Sequence, residues 1–281
     1  MPFLDKIKAL LDRREIRPAL VPLVSHLARL RHQGVHKIFH DGVWIHETSH
    51  GYFAYHQPFV RLNMAQMEVE ARKNFFWGYQ PRPGDVIMDI GAGVGEEALT
   101  FSRAVGERGK VICIEAHPRT YRCLEKLVQY NRLQNLIPIH KAVTETPCGT
   151  AIIEDSNAYL RNRLNPANGI PVPATTIDEV HRKLRLGRIH FLKMNIEGAE
   201  RFAIQGMSET LNHTEVLCIS CHDFLAAATG DAILRTKSTV QQFMQGSGFL
   251  MIERREPGLP PYLRDQVWGY SKQLIKMRPA S

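Results

Sequence analysis

The sequence predicts an α/β fold: a seven-stranded, mostly parallel sheet with helices on both faces, preceded by an extension of helices and a β-hairpin. Three observations carry the prediction. Residues 86–95 read Val-Ile-Met-Asp-Ile-Gly-Ala-Gly-Val-Gly, a short apolar strand that runs into Asp89 and a turn holding Gly91, Gly93 and Gly95. Apolar stretches of strand length then alternate with helical stretches, which implies a parallel sheet. The second of those strands, 110–115, closes on an acid, Glu115, about 20 residues past the glycines, the usual distance for gripping ribose hydroxyls. Strand, glycine turn and helix form the opening unit of a doubly wound sheet, whose ligands sit at the carboxyl ends of the strands.

In chain order, Phe3, Leu4, Ile7, Leu10 and Leu11 recur at helical spacing and predict a helix over 2–13. A second helix spans 19–30, entered through Pro18 and Pro22. Short alternating runs at 37–40 and 43–46 flank Asp41-Gly42, a strong hairpin signal. Residues 66–76 read as a helix that delivers Phe75, Phe76, Trp77 and Tyr79 to the first core strand, as packing rather than as a cofactor box. Pro81-Arg82-Pro83-Gly84 is a turn, and the core begins there. Its strands are predicted at 85–90, 110–115, 136–140, 188–194, 214–221, 249–254 and 266–273. Its helices are predicted at 96–105, 119–130, 177–185, 199–205 and 232–245. Thr176-x-x-Glu179 is a capping box for the third of them. A proline-rich, non-helical link joins the last two strands and predicts an antiparallel end. The chain thus divides into an extension, 1–80, and a core domain, 81–281.

The 281 residues suit a large domain with an extension, and 44 % hydrophobic residues suffice for a packed core. No apolar run approaches the roughly 20 residues that span a bilayer. The first residues carry Asp5, Lys6 and Lys8 and do not read as a signal peptide. Five cysteines, an odd number without framework spacing, point to a reducing, cytoplasmic setting. The formal net charge is +8, and residues 1–40 supply +5 of it. Such an extension suits an anionic membrane surface, a nucleic acid or an acidic partner. A solvated helix face is the plainer reading, because no aromatic residues interleave with the charges.

The turn itself narrows the ligand. A dinucleotide asks for Gly-x-Gly-x-x-Gly, with its pyrophosphate on the helix amino end. Here Gly95 is followed by Glu96 and Glu97, two carboxylates that would repel a pyrophosphate. A cofactor with a ribose, no phosphate and cationic groups fits better, and S-adenosylmethionine has all three properties. A tight turn without a ligand is the remaining alternative.

Four stretches in order resemble the motifs of FkbM-type methyltransferases. They are Pro83-Gly-Asp-Val-Ile-Met-Asp-Ile-Gly-Ala-Gly-Val-Gly-Glu, Gly109-Lys-Val-Ile-Cys-Ile-Glu-Ala-His-Pro, Val172-Pro-Ala-Thr-Thr-Ile-Asp-Glu-Val and Phe191-Leu-Lys-Met-Asn-Ile-Glu-Gly-Ala-Glu. The resemblance covers roughly 68–272 and implies a Rossmann-like class I methyltransferase fold and S-adenosylmethionine as donor. It also implies O-methylation of a hydroxyl on a sugar or other small metabolite. Carried over by residue, Asp89, Gly91, Gly93 and Gly95 line the methionine end, Glu115 takes the ribose hydroxyls, and Ala142 lies near the adenine by its backbone. Asn195 sits where the family has an acid, and Ser220 where the fifth strand often carries one. An amide neither accepts a proton nor binds a divalent cation well, so no metal is expected.

Methyl transfer asks mainly for alignment, because the sulfonium is already activated. A hydroxyl acceptor gains from a base. The strand tips next to the methyl group carry Asn195 and Glu197, then His222 and Asp223. His222 has the ordinary pKa of a base near neutral pH, and Asp223 is placed to orient it. The candidate catalytic set is therefore His222, Asn195 and Glu197. A non-catalytic protein that keeps the cofactor fold and binds through its basic amino end is a second reading. A nucleic-acid methyltransferase is a third, and no nucleic acid is expected because no Asn/Asp-Pro-Pro-Tyr/Phe loop is present.

Two patterns are decoys. Cys218-Ile-Ser-Cys221-His222 spells a haem attachment signature, but it lies on a predicted buried strand, so the two thiols point to opposite faces. His32, His36, His40, His46, His50 and His56 follow no zinc spacing and are expected to be ordinary surface histidines.

Overall fold

The apolar residues of the extension close a small core of their own before the main sheet begins. The computed structural model describes residues 20–31, 34–60, 64–147, 149–155 and 169–274; the helix expected over 2–13 lies outside them. Helix α1 (Val21–Arg31) sets Val24 and Ala28 on Val35, Ile38 and Trp44 of a three-stranded antiparallel sheet. Its strands are β1 (Val35–His40), β2 (Trp44–Thr48) and β3 (Gly51–Tyr55). The Asp41-Gly42 hairpin joins β1 to β2, with Gly42 at φ 73°. The third strand was not expected, because Ser49-His50 carries no glycine or asparagine turn signal. That turn closes instead through the Thr48 hydroxyl, which donates to the Gly51 carbonyl at 2.8 Å.

Helix α2 (Met64–Phe75) leads Phe75, Phe76 and Tyr79 into the main core, where Tyr79 stacks on Phe191 at 4.7 Å between ring centres. From there strands and helices alternate. They run β4 (Val86–Ile90), α3 (Glu96–Val105), β5 (Lys110–Glu115), α4 (Pro118–Asn131) and β6 (Leu136–His140). A small sheet follows, β7 (Ala142–Val143), β8 (Thr150–Ile153) and β9 (Ile170–Thr175), and then α5 (Ile177–Lys183). The second half is β10 (Ile189–Met194), α6 (Glu200–Ala203), α7 (Ser208–Leu211), β11 (Thr214–Ser220), α8 (Asp223–Thr229), α9 (Lys237–Gly246), β12 (Phe249–Ile252), α10 (Pro261–Arg264) and β13 (Gln266–Ser271). Half of the capping box forms: the Thr176 hydroxyl accepts from the Glu179 N–H at 3.1 Å, while the Glu179 carboxylate accepts from the Thr175 hydroxyl at 2.7 Å.

The main sheet has seven strands in the order β12-β13-β11-β10-β4-β5-β6. The five from β11 to β6 are parallel, and β13 runs antiparallel between β11 and β12. This is the strand order of a Rossmann-like class I methyltransferase fold. Alternation along each strand sends Ile87, Val111, Phe191 and Val216 toward Phe101 of α3 and Leu124 of α4. Met88, Ile112, Leu192 and Leu217 face Val180 of α5 and Met244 of α9. Helices therefore cover both faces, and order reverses between β4 and β10, where such folds bind ligands.

Several elements depart from expectation. The link before β13 contains the helix α10. Helix α8 is new, and the predicted 232–245 helix begins only at Lys237. The small sheet was missed because Pro171 and Pro173 speak against a strand. Ala174 donates to Gly149 at 3.0 Å, so even-numbered N–H groups of β9 face β8, and the two prolines face the side where β7 pairs only from Ala174 onward. His46 is fully buried beside the Pro58 carbonyl, not at the surface. Cys218 and Cys221 belong to cores on opposite faces of the sheet, as strand parity requires.

Candidate active site

The site is built where β4, β5 and β10 end together. Gly91 and Ala92 both donate to the Ile114 carbonyl, at 2.9 and 3.1 Å, which ties the glycine turn to the end of β5. Asn195 donates its backbone N–H to Ile90 at 2.9 Å and extends the β10–β4 pairing past the last strand residue. A Cβ on Gly91 would lie 2.0 Å from the Asn195 carbonyl oxygen. Close approach of two backbones thus requires glycine at 91. A Cβ on Gly93 meets nothing within 4 Å, so that position faces open space. Gly95 starts α3 at φ 94° and abuts Leu124 of α4 rather than the cleft.

The open space is a cleft of about 760 Å³, its mouth included. Gly91, Gly93, Glu115, Ala142, Asn195 and Glu197 all line it. Both oxygens of Glu115 are pinned, Oε2 accepting from the Gly93 N–H at 3.0 Å and Oε1 from the His117 N–H at 2.8 Å. Burial pushes this carboxyl up. Asn195 Oδ1 is buried without a hydrogen-bond partner, as is His117 Nδ1. Asp89 lies beneath the turn, fully buried, on the α3 side. Its partner across β10 is Lys193, whose Nζ sits 2.8 Å from Asp89 and donates to the Gly91 carbonyl at 3.0 Å. Burial works to lower the Lys193 ammonium, but Asp89 and then Glu97 work against it and together leave it raised, so the lysine stays charged. Lys193 and His117 were not singled out from the sequence. A lysine inside the apolar run Ile189–Met194 was the available signal for the first, and the position two past the ribose acid for the second.

Beyond Asn195 the chain bends sharply. Glu197 has φ 53° and Gly198 φ 93°, two left-handed residues in a row, and such strain in a non-glycine residue clusters at functional sites. The bend turns Glu197 toward the cleft and holds its Oε1 3.3 Å from His222 Nε2. The other ring nitrogen lies 3.2 Å from Glu200 Oε1, and Glu200 is fully buried. Burial pulls His222 down, but the two carboxylates overcome it and raise the ring to about 10. An imidazolium has no lone pair to accept a proton. The base role expected of His222 therefore does not fit its surroundings, and the ring is a fixed cation instead. Nor does Asp223 orient it: Asp223 Oδ2 accepts from the Thr236 and Lys237 N–H groups, both at 3.0 Å, at the start of α9.

Residues 89–245 match the model of the methyltransferase FkbM domain, more than half of the chain. The chain belongs to this family. A solved FkbM methyltransferase from Methylobacillus flagellatus is 16 % identical, with a TM-score of 0.49 over 71 % of this chain and 47 % of that one. The chain thus spans about half the length of that relative. Fibrillarin from Aeropyrum pernix, solved with natively bound S-adenosyl-L-methionine, is 16 % identical with a TM-score of 0.44, covering 83 % of this chain and 96 % of that one. A shorter match, 34 % identity over 62 residues, links 22 % of this chain to 16 % of the catalytic subunit of a tRNA (adenine(58)-N(1))-methyltransferase from Yarrowia lipolytica.

This FkbM-family chain carries an S-adenosylmethionine-binding methyltransferase fold. Its cleft fits that cofactor: the open side of Gly93, the acid Glu115 and the unpartnered Asn195 Oδ1 all border the same space. Among the described residues no group of three or more His, Cys, Asp or Glu side chains is arranged to hold a metal ion. No helix among them is long and apolar enough to cross a membrane.

Proposed function

We propose that the protein is an O-methyltransferase acting on a hydroxyl of a small molecule, a sugar or a comparable metabolite. The bound cofactor supplies an electrophilic methyl group. In this reading Gly91 and Gly93 border its methionine end, Glu115 takes the ribose hydroxyls, and Ala142 and His117 meet the adenine side. Asp89 and Gly95 shape the turn from below, Asp89 through Lys193 and Gly95 through its contact with α4. Asn195 presents its amide oxygen to the reacting centre.

The observation that carries the proposal is Glu197. Its carboxylate borders the cleft next to Asn195, and His222 stands behind it as a cation held in turn by Glu200. Glu197 is thus the group placed to accept the acceptor hydroxyl's proton, and His222 and Glu200 are positioning residues. General-base assistance is typically worth about 100- to 10,000-fold.

The test incubates the protein with methyl-labelled S-adenosylmethionine and separate small-metabolite and RNA fractions. Label is expected in the small-molecule fraction, as a methyl ether that survives alkali. Glu197→Gln should cut turnover by about 100-fold or more while S-adenosylhomocysteine affinity stays within a few-fold. Label entering RNA instead, or a Glu197→Gln variant as active as wild type, would overturn the reading. Binding of S-adenosylhomocysteine with no transfer to either fraction would favour a non-catalytic binding protein.

A further inference from the structure

One peptide of the glycine turn is held from two sides. Its carbonyl, that of Gly91, accepts from Lys193 Nζ at 3.0 Å, and its N–H, that of Ala92, donates to the Ile114 carbonyl at 3.1 Å. The two groups lie on opposite edges of a planar unit, so together they fix its rotation. Gly91, at φ 75°, has no side chain to restrain that peptide, and the restraint comes from neighbouring strands instead.

Lys193 reaches the carbonyl from inside the core. It pairs with Asp89 in the register of β10 and β4, and Cys113 and Cys218 flank the two on β5 and β11. Lys193 is 2 % exposed and Asp89 0 %, and neither lines the cleft. The ammonium lies 2.8 Å from Asp89 Oδ1 and 5.5 Å from the centre of the Phe75 ring. Stability does not account for such a pair, because apolar side chains of similar volume often serve a core as well or better. An apolar side chain, however, cannot hold a carbonyl.

We infer that Lys193 is a positioning residue for the methionine half of the cofactor: anchored by Asp89, it holds the Gly91–Ala92 peptide in the orientation which that half requires. The inference rests on the reading that Gly91 and Gly93 border the methionine end. The adenosine half has a separate hold, since Glu115 keeps an anchor outside the turn, the His117 N–H at 2.8 Å. Lys193 therefore acts on one half of the cofactor and not on the other.

The experiment measures the affinity of the full chain for two ligands by calorimetry. S-adenosylhomocysteine and 5′-methylthioadenosine share the adenosyl thioether, and only the first carries the amino acid half. Removing Lys193 alone would strand Asp89 as an unpaired buried charge, so the main variant is the pair Asp89→Leu, Lys193→Met, which exchanges the ions for apolar side chains. Its urea midpoint should stay near that of wild type. Its affinity for S-adenosylhomocysteine should fall about tenfold or more, while 5′-methylthioadenosine binds within a few-fold of wild type. A milder variant, Asp89→Asn, keeps the size of the side chain and removes only the charge that anchors the ammonium; it should shift the ratio of the two affinities in the same direction. A defect of the fold would weaken both ligands alike. Equal losses for the two ligands in both variants, or no loss for either, therefore overturn the inference. Gly93→Ala tests the placement beneath it. If Gly93→Ala binds S-adenosylhomocysteine as wild type does, the methionine end lies elsewhere and the inference falls with that reading. If Gly93→Ala weakens S-adenosylhomocysteine and the paired variant does not, the placement stands and the role of Lys193 alone is overturned.

Discussion

Gly91 and Gly93 lie two positions apart, and both have positive φ, yet they serve different ends. Gly91 faces the Asn195 backbone and Gly93 faces the cleft. Gly91→Ala should cost about 3 kcal/mol or more, because neither backbone can yield. Gly93→Ala should cost only about 1–2 kcal/mol, for a left-handed alanine, and should instead weaken S-adenosylhomocysteine binding. Urea denaturation and calorimetry read the two effects, and equal stabilities would sink the distinction. The glycine spacing was legible in the sequence, but the role of each glycine was not, because the partner backbone arrives about a hundred residues later. His222 shows the same limit. Its position at a strand tip was legible, whereas its charge depends on Glu197 and Glu200 folding back around it. Its ring is raised in the fold to about 10 from the ordinary 6.5. A raised group contributes stability that is fully present below the unfolded value and is lost as pH rises through the folded one. Wild type should therefore lose on the order of several kcal/mol between about pH 7 and pH 10, and His222→Gln should flatten that loss. Parallel slopes for the two proteins would mean that the ring is not a cation in the fold.

At the scale of elements, the strand–helix alternation was legible because apolar periodicity is local. Strand β3 and the small sheet were not, since Gly51–Tyr55 lacks a turn signal and β9 hides two prolines at positions that leave its pairing intact. Strand β3 matters to the site. Tyr55 at its end donates to Glu96 Oε1 at 2.7 Å, at the first turn of α3. Burial, and next the neighbouring Glu97, raise Glu96 to about 7, while the Tyr55 bond works the other way. The sign follows from the raised value: stability is present below the unfolded value of 4.5 and is lost as pH rises through about 7. Glu96→Gln should remove much of the fall in stability between pH 5 and pH 7. Tyr55→Phe, which takes away the bond that favours the carboxylate, should move the midpoint of that fall upward. Chemical denaturation across this pH range measures both, and an unchanged slope in Glu96→Gln would place the titration elsewhere.

At the scale of the whole molecule, the parallel sheet was implied by the alternation and the antiparallel end by the proline-rich link between the last two strands. The relation between the extension and the core domain was not legible, because it depends on contacts between residues far apart in sequence. Val43, Ile45, Phe53 and Tyr55 of the small antiparallel sheet pack with Val94, Leu99, Cys123 and Leu127 of the glycine turn, α3 and α4. The last four are at most 3 % exposed. A boundary at residue 80 therefore cuts through a shared core. Asn131 tightens the join, accepting from the Tyr52 N–H at 2.9 Å and donating to the Tyr52 carbonyl at 2.7 Å. A chain of residues 81–281 would expose those four side chains and leave Glu96 without Tyr55. Burial of a large apolar side chain contributes about 1.5–3 kcal/mol, so the loss is on the order of 5–10 kcal/mol. That is comparable with the whole stability of an ordinary domain, about 5–15 kcal/mol. The truncated chain should unfold at much lower urea than the full chain, or fail to fold, and should bind S-adenosylhomocysteine poorly because Val94 of the glycine turn loses its support. A truncated chain with the full protein's unfolding midpoint and cofactor affinity would show instead that the core domain is self-sufficient and that the extension is an appendage to it.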